Sequence, residues 1–237
     1  ERIAEIVGGI ARGCAWSRTA LIGGETAEHP QLLKEDEFDL AAAATGVVEH
    51  EKLLGEHLVK VGDVAIAIES SGVHANGFSL VRHILKNAKL DLNKNVAELG
   101  TTLGEALLVP TTIYAPTLLD LIADVEVHAM AHITGGGLAA NTARVMPKEL
   151  QLTMDRSTWA LPELFKFLAA EGQVEQPDME RTFNCGVGMV LLVPPGSVDA
   201  TIARLTAKDL QSWVTGEVTY AQNAPGGVAL EGQYRTL

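Results

Sequence analysis

The 237-residue sequence has little cysteine, no concentration of basic residues and no long uncharged stretch, and each absence argues against a class of protein. Its two cysteines, Cys14 and Cys185, are far apart and outside any Cys-x-x-Cys pair, which disfavours a disulfide framework or a structural zinc site and favours a reducing compartment. A formal net charge of −12 with scattered Lys and Arg disfavours binding to nucleic acid or to an anionic membrane. The uncharged stretches fall short of the ~20 residues that span a bilayer, and no signal peptide is visible. We therefore expect a cytoplasmic protein that binds neither nucleic acid nor a membrane.

The familiar nucleotide-binding motifs are also absent. No Gly-Lys dipeptide occurs, which excludes a P-loop, and no Gly-x-Gly-x-x-Gly segment follows a predicted strand. If the protein binds a nucleotide, another architecture must hold it.

What the sequence does contain is a large share of small and aliphatic residues, since 47% of it is hydrophobic and 5% aromatic. This mixture suits buried strands and closely approaching helices. Apolar strands alternate with amphipathic helices along the chain, so we predict an α/β (α+β) fold. The predicted strands are 20–22, 39–48, 63–69, 125–133, 152–154, 187–193, 213–220 and 228–231. The predicted helices are 3–14, 78–88, 103–109, 114–122, 137–145, 162–170 and 197–205, the last with Ser197 as its N-cap.

Three of the predicted strands run into loops of small and polar residues, at 23–26, 70–79 and 134–137. Glycines in such loops allow backbone N–H groups to approach an anion, because no Cβ blocks the way. A helix follows the second and third loops at once, and its free N–H groups and positive dipole end favour the same ligand. One glycine-rich loop is more often only a tight turn, whereas three of them favour a shared phosphate-binding site.

Single residues in and near these loops leave two interpretations open. Glu25 is placed to hold Mg²⁺ against phosphate oxygens, or it is an exposed loop acid. His74, beside Asn76, is placed to donate to a phosphate or a developing oxyanion, or it bonds only to backbone. His128 and His132 share one face of a strand; the pattern favours a core role for His128, while His132 lies closer to the loop and within reach of a ligand.

The loops are parts of longer stretches that resemble one known family. These stretches are Gly-Gly-Glu-Thr-Ala-Glu-His-Pro at 23–30, Ser-Ser-Gly-Val-His-Ala-Asn-Gly-Phe-Ser-Leu-Val-Arg at 70–82, Leu-Val-Pro-Thr-Thr-Ile-Tyr at 108–114, His-Ile-Thr-Gly-Gly-Gly at 132–137 and Arg-Thr-Phe-Asn-Cys-Gly-Val-Gly-Met at 181–189. In this order they resemble phosphoribosylformylglycinamidine cyclo-ligase, also called aminoimidazole ribonucleotide synthetase. The related selenophosphate synthetase and thiamine monophosphate kinase are less similar to the chain.

The resemblance implies a reaction, cofactors and site residues. The reaction is ATP-dependent closure of the imidazole ring of formylglycinamidine ribonucleotide in purine biosynthesis, through phosphorylation of the formamide oxygen. ATP and Mg²⁺ are the implied cofactors, a homodimer the implied assembly, and Glu25 the implied metal ligand. His74 and Asn76 correspond to catalytic positions. The implied nucleotide-binding residues are Gly23, Gly24, Glu25, Thr26, Ser71, Gly72, Gly77, Ser79, Thr134, Gly135 and Gly136.

One departure from the family concerns the start of the chain. The family carries an earlier Asp-Gly-Val-Gly-Thr-Lys motif, whereas this sequence begins without Met inside a helical pattern. We therefore expect 1–55 to be a partial N-terminal ATP-binding and dimerisation domain, 56–61 a linker and 62–237 the complete C-terminal domain. Two alternatives remain: a sister-family enzyme that phosphorylates another small molecule, and a non-catalytic nucleotide-binding or assembly module.

Overall fold

The computed structural model describes residues 2–30, 32–34, 37–222 and 225–236. The chain divides into two compact units, Glu1–Leu53 and Leu54–Leu237. Residues 54–61, which include the predicted linker, belong to the second unit, where Val59 is buried. The predicted division of the chain into family domains stays a prediction. No helix in the described ranges is both long and apolar enough to cross a membrane.

The first unit contains one α-helix in its described part, α1 (Arg2–Trp16), as the spacing of its aliphatic residues predicts. A single 3₁₀ turn, His50–Lys52, lies near its end. The strands predicted at 20–22 and 39–48 are wrong, because neither segment forms a strand or belongs to a sheet. Ile22 and Val47 are each 96% exposed. A strand needs a neighbour to accept and donate its backbone hydrogen bonds, and an apolar run alone does not supply one.

The second unit is built on a six-stranded sheet, accompanied by a two-stranded hairpin, within the described residues. The order in the large sheet is β4-β6-β1-β7-β5-β8, antiparallel throughout except for the parallel pair β5–β8. The strands are β1 (Val64–Glu69), β2 (Asn95–Val96), β3 (Thr101–Thr102), β4 (Ala129–His132), β5 (Leu150–Asp155), β6 (Val187–Val193), β7 (Ser212–Tyr220) and β8 (Gly227–Glu231). The helices are α2 (Phe78–Asn87), α3 (Leu103–Leu107), α4 (Ala115–Ile122), α5 (Gly137–Ala143), α6 (Glu163–Gly172), α7 (Gln176–Thr182) and α8 (Val198–Thr206).

Both faces of the central strands are buried, which explains their unbroken apolar sequences. All seven residues of β6 are buried. In β1, Ala65 and Ala67 belong to one hydrophobic cluster, whereas Ile66 and Ile68 belong to another that includes Leu118 of α4 and Leu205 of α8. A strand covered on both sides loses the alternation of apolar and polar residues that a half-exposed strand shows.

The mixed α/β (α+β) fold predicted from the sequence is confirmed, and the elements predicted between 63 and 231 are all present with shifted ends. The pattern missed α7 and the short β2–β3 hairpin. Ser197 is the N-cap residue of α8, but its side chain accepts no capping hydrogen bond. Instead, the Thr201 hydroxyl donates to the Ser197 carbonyl oxygen at 2.8 Å.

The strand order brings three separated motifs to one edge of the sheet. Strands β1 and β4 flank β6 and are both antiparallel to it, so they run parallel to each other. Their carboxyl ends therefore lie where β6 begins, with Glu69 opposite Val187 and His132 opposite Met189. The loops after β1 and β4 and the segment before β6 emerge together.

Candidate functional site

Two of the three predicted glycine-rich loops meet in the second unit. The Gly135 backbone N–H donates to Asn76 Oδ1 at 3.1 Å. The loop after β1 leads directly into α2, with Gly77 as the N-cap at φ 81°, and the loop after β4 leads into α5, with Gly136 as the N-cap at φ 99°. The structure thus places Asn76 where it links the two loops.

The segment before β6 holds the start of the first loop through Asn184, which is 3% exposed. Its Oδ1 accepts from the Ser70 hydroxyl and from the Gly186 N–H, both at 2.9 Å. Its Nδ2 donates to the Gly72 carbonyl oxygen at 2.8 Å. The Ser70 N–H in turn donates to the Gly186 carbonyl oxygen at 3.0 Å. Sequence reasoning did not single out Asn184, although it lies in one of the stretches that carry the family resemblance.

Ser71 is held from the side by the 110–112 segment. Its hydroxyl donates to the Pro110 carbonyl oxygen at 2.7 Å and accepts from the Thr112 N–H at 3.2 Å. Because the Ser71 hydroxyl bonds the backbone of the 110–112 segment on both counts, this side chain holds the loop against that segment. Ser79, by contrast, is exposed in the first turn of α2.

Asn141 fixes the second loop from inside α5. It is 3% exposed, and its Nδ2 donates to the carbonyl oxygens of Thr134, Gly135 and Gly137 at 3.3, 3.2 and 2.8 Å. Its Oδ1 accepts from the Thr134 hydroxyl at 3.0 Å. The predicted ligand residues Thr134 and Gly135 are therefore held in place by a residue that sequence reasoning missed.

His74 is the most unusual side chain of the site. It is 5% exposed and adopts a left-handed backbone at φ 57°. Its Nε2 lies 3.2 Å from the Ser71 N–H and accepts from it. Because Nε2 accepts, a neutral ring carries its proton on Nδ1, and this buried nitrogen has no hydrogen-bond partner in the described part of the chain. A buried donor left unpaired costs about 1–3 kcal/mol, which a ligand oxygen would offset.

The rings of Tyr114 and His132 surround His74, with centroids 6.1 and 6.0 Å from its own. Gly188 makes this possible, because an added Cβ there would overlap Tyr114 Oη and lie 3.0 Å from His74 Cε1. The Tyr114 hydroxyl donates to the Glu69 carbonyl oxygen at 2.7 Å. Sequence reasoning placed His132 near the loop but missed Tyr114 as a member of the site.

Burial, and then the charge of His132, lower the pKa of His74 to about 4. Burial also lowers the pKa of His132. His74 is therefore a neutral hydrogen-bond donor near pH 7, and its accepting nitrogen is already occupied. This geometry suits stabilisation of a negatively charged or carbonyl oxygen better than proton abstraction.

A groove with a volume of about 450 Å³ opens beside these rings. Tyr114 and His132 line it together with apolar side chains, including Leu118, Met130 and Met189. A mostly apolar groove with a few polar groups is typical of small-molecule sites.

The predicted residues Gly23, Gly24, Glu25 and Thr26 belong to the first unit, where they are exposed and form no helix or strand. Among the described residues, no group of three or more His, Cys, Asp or Glu side chains is arranged to hold a metal ion. The role predicted for Glu25 stays a prediction. His128 is the core histidine that the pattern favours, with Nδ1 2.7 Å from Asp63 Oδ2 and Nε2 3.0 Å from Glu126 Oε1.

The lowered pKa of His74 predicts a pH effect on stability. Unfolded His74 takes up a proton near pH 6.5, whereas the folded ring does so only near pH 4, so stability falls as the pH decreases through this window. We expect the free energy of unfolding in urea to drop less between pH 7 and pH 5 in His74→Gln than in the wild type. His83→Gln, at an exposed position on α2, should keep the wild-type dependence. Identical pH dependence in all three proteins would contradict the assignment.

Residues 60–225 match the family described as AIR synthase related protein, C-terminal domain. The chain is 49% identical over 220 residues to phosphoribosylformylglycinamidine cyclo-ligase from Desulfitobacterium hafniense (strain DSM 10664 / DCB-2). It is 45% identical over 218 residues to the protein of the same name from Pseudothermotoga lettingae. Both alignments cover 92% of this chain, which spans 64% of the length of each relative.

Two solved structures share the fold at lower sequence identity. Thiamine-monophosphate kinase from Stenotrophomonas maltophilia K279a superposes with a TM-score of 0.53 at 18% identity, covering 78% of this chain and 55% of the other. Hydrogenase maturation protein HypE superposes with a TM-score of 0.50 at 14% identity, covering 73% and 50%. At these identities the similarity shows the fold alone.

Proposed function

Because the chain belongs to the family of AIR synthase related proteins, we propose that it carries a ring-closing site of an ATP-dependent phosphoribosylformylglycinamidine cyclo-ligase. The observation that carries this proposal is the meeting of two glycine-rich loops beside the buried, unpaired Nδ1 of His74. The names of relatives at 45% and 49% identity supply the reaction. In it, ATP phosphorylates the formamide oxygen of formylglycinamidine ribonucleotide, and the substrate amine then displaces phosphate from that carbon.

In this reaction the protein mainly positions the reactants and stabilises the charge that develops. The backbone N–H groups of the first turn of α2, which follows Gly77, have no partner within the helix and favour a phosphate. The neutral Nδ1–H of His74 donates to an oxygen of the reacting group. Asn76 keeps both loops together, so that the ligand meets them as one surface. The groove beside Tyr114 accommodates the less polar part of the substrate.

The cofactor, assembly and location belong to the same proposal. Gly72, Gly135 and Gly136, where an added Cβ would meet no atom closer than 3.6 Å, leave room for the phosphates of ATP to approach the backbone. We propose Glu25 as one Mg²⁺ ligand, since Mg²⁺ commonly takes one or two carboxylates and completes its shell with phosphate oxygens and water. We also propose a homodimer and a cytoplasmic location, as the resemblance to the cyclo-ligase family implies.

The activity is tested on a protein that extends this sequence to the length of its relatives. We expect one ADP and one aminoimidazole ribonucleotide per formylglycinamidine ribonucleotide consumed. ADP release with another phosphate acceptor, such as thiamine monophosphate, and none with formylglycinamidine ribonucleotide would instead indicate a sister-family enzyme. Calorimetry of the 237-residue chain with Mg-ATP then separates catalysis from binding: binding without turnover even at the relatives' length would favour a nucleotide-binding module.

Gly72→Val is expected to weaken nucleotide binding more than it weakens the fold. Gly72 has φ 145°, and an added Cβ would have nothing closer than 3.9 Å, so the Cβ itself strains the backbone without a clash. Such strain costs about 1–3 kcal/mol and shifts the loop. In the extended protein, we expect the KM for ATP to rise at least about tenfold, which corresponds to roughly 1.4 kcal/mol of lost binding.

Gly100→Val is the matched control for this prediction. Gly100 has φ 65° and nothing within 4 Å of an added Cβ, and it lies in the turn before β3, outside the loops. Both variants should lose similar stability in urea, while only Gly72→Val loses affinity for ATP. Equal KM values for the two would remove Gly72 from the nucleotide site.

A further inference from the structure

Segment 180–186 contacts both glycine-rich loops of the second unit. An added Cβ at Gly137 would overlap the Glu180 carbonyl oxygen, and one at Gly77 would overlap the ring of Phe183. Asn184 in the same segment bonds Ser70 and Gly72, as described above. These contacts leave almost no space, so the positions of both loops depend on where this segment lies.

Residues 232–235, which we call the strap, are connected to segment 180–186 by hydrogen bonds and ring packing. The Tyr234 hydroxyl donates to Glu180 Oε1 at 2.8 Å, and its ring packs edge-on against Trp159 at a centroid distance of 5.3 Å. The Arg235 N–H donates to the Trp159 carbonyl oxygen at 3.0 Å. Trp159 in turn contacts segment 180–186, because its Nε1 donates to the Cys185 carbonyl oxygen at 3.0 Å.

Arg156 ties the strap and the segment to each other. Its Nε and Nη2 donate to the two carboxylate oxygens of Glu180 at 2.7 and 2.8 Å. Its Nη1 donates to the carbonyl oxygens of Leu230 at 2.7 Å and Gly232 at 3.3 Å. The Arg156 and Glu180 side chains are 14% and 11% exposed, so water does not readily replace a lost partner.

The charge on Glu180 is maintained by the same contacts. Burial by itself raises the pKa of Glu180, but the hydrogen bonds from Arg156, Gln176 and Tyr234 outweigh burial and lower the pKa below its usual value. Glu180 is thus a carboxylate with four donated hydrogen bonds from three side chains. Hydrogen bonds to a charged group are stronger than those between neutral groups, which makes this junction rigid.

We propose that the strap, through Tyr234 and Arg156, positions the glycine-rich loops by fixing segment 180–186. Tyr234 and Arg156 are positioning residues, since they act on the loops only through Glu180, Trp159 and Cys185. The inference rests on the proposed function only in that it takes these loops to be the ligand site.

Hydrogen exchange of the 237-residue chain without any ligand tests the proposal. Tyr234→Phe removes one oxygen atom and leaves the ring on Trp159, so the fold is retained. We expect the Ser70 and Gly186 amides to exchange about tenfold faster. The hydrogen bond that Tyr234 donates to the charged Glu180 is lost, so segment 180–186 opens more easily. Amides in the middle of β1 exchange through global unfolding, so their rates should rise only as far as the loss of stability measured in urea requires.

Tyr220→Phe is the matched control, because Tyr220 is 73% exposed at the end of β7. Removal of its hydroxyl group should leave every exchange rate unchanged. Unchanged Ser70 and Gly186 rates in Tyr234→Phe would overturn the proposal. The experiment needs no nucleotide, so its failure would leave the ring-closing activity standing. Conversely, absence of ring closure would leave the exchange result intact.

Discussion

Replacing Gly137 with alanine is expected to lower the free energy of unfolding by about 3 kcal/mol or more. Gly137 has φ 76°, which costs an alanine about 1–2 kcal/mol. The new methyl would also overlap the Glu180 carbonyl oxygen, and this backbone atom cannot turn aside as a flexible side chain would. Relief of the overlap requires either α5 or segment 180–186 to move.

Gly135→Ala, two residues earlier in the same loop, is the matched control. It lacks a left-handed backbone, and the nearest atom to its added Cβ is Asn76 Oδ1 at 3.7 Å, an ordinary contact distance. We expect its stability to stay within about 0.5 kcal/mol of the wild type. Urea unfolding of the three proteins measures both values. Similar stabilities for the two variants would mean that α5 does not depend on close approach to Glu180.

The second large effect is catalytic. In the protein extended to the relatives' length, His74→Ala should lower kcat by about 10²-fold, as loss of one preorganised donor does in other enzymes. The KM for ATP should change little, because the Nδ1–H stabilises charge that develops in the transition state. Because the pKa of His74 is about 4, its ionisation should add no limb to the pH–rate profile between pH 5.5 and 8.

His83→Ala provides the comparison for this loss. His83 is exposed on α2, and its Nε2 lies 2.8 Å from Asn87 Nδ2, outside both loops. Its kcat should match that of the wild type. Unchanged kinetics in His74→Ala as well would return His74 to the role of a loop histidine bonded only to the Ser71 backbone.

The sequence predicts the central strands of the second unit because they are buried on both faces. The runs 64–68 and 187–193 contain no polar side chain, and residues typical of turns, including Gly72 and Gly196, follow them. The strands predicted at 20–22 and 39–48 were wrong for a related reason. Local composition shows that a segment is apolar and suited to a strand, but a sheet also needs a partner strand, which local composition does not reveal.

The parts of the site that sequence reasoning missed are long-range contacts. Asn184 bonds Ser70, which is 114 positions away, and Tyr114 donates to Glu69 across 45 positions. No spacing rule connects such pairs, because the strand order β4-β6-β1 creates them. Asn141 is only seven residues from its partner Thr134, but nothing in the local sequence distinguishes it from an ordinary helix residue. The sequence therefore predicted loops suited to binding an anion, but it did not predict the side chains that hold these loops in place.

The fate of the formyl oxygen tests the central claim most directly. Formylglycinamidine ribonucleotide labelled with a heavy isotope at this oxygen is incubated with Mg-ATP and the protein extended to the relatives' length, and the inorganic phosphate is analysed by mass. If the loops and His74 support phosphorylation of the formamide oxygen, each ring closed should deliver the label to inorganic phosphate. Label recovered in water, or ADP formed without ring closure, would contradict the account.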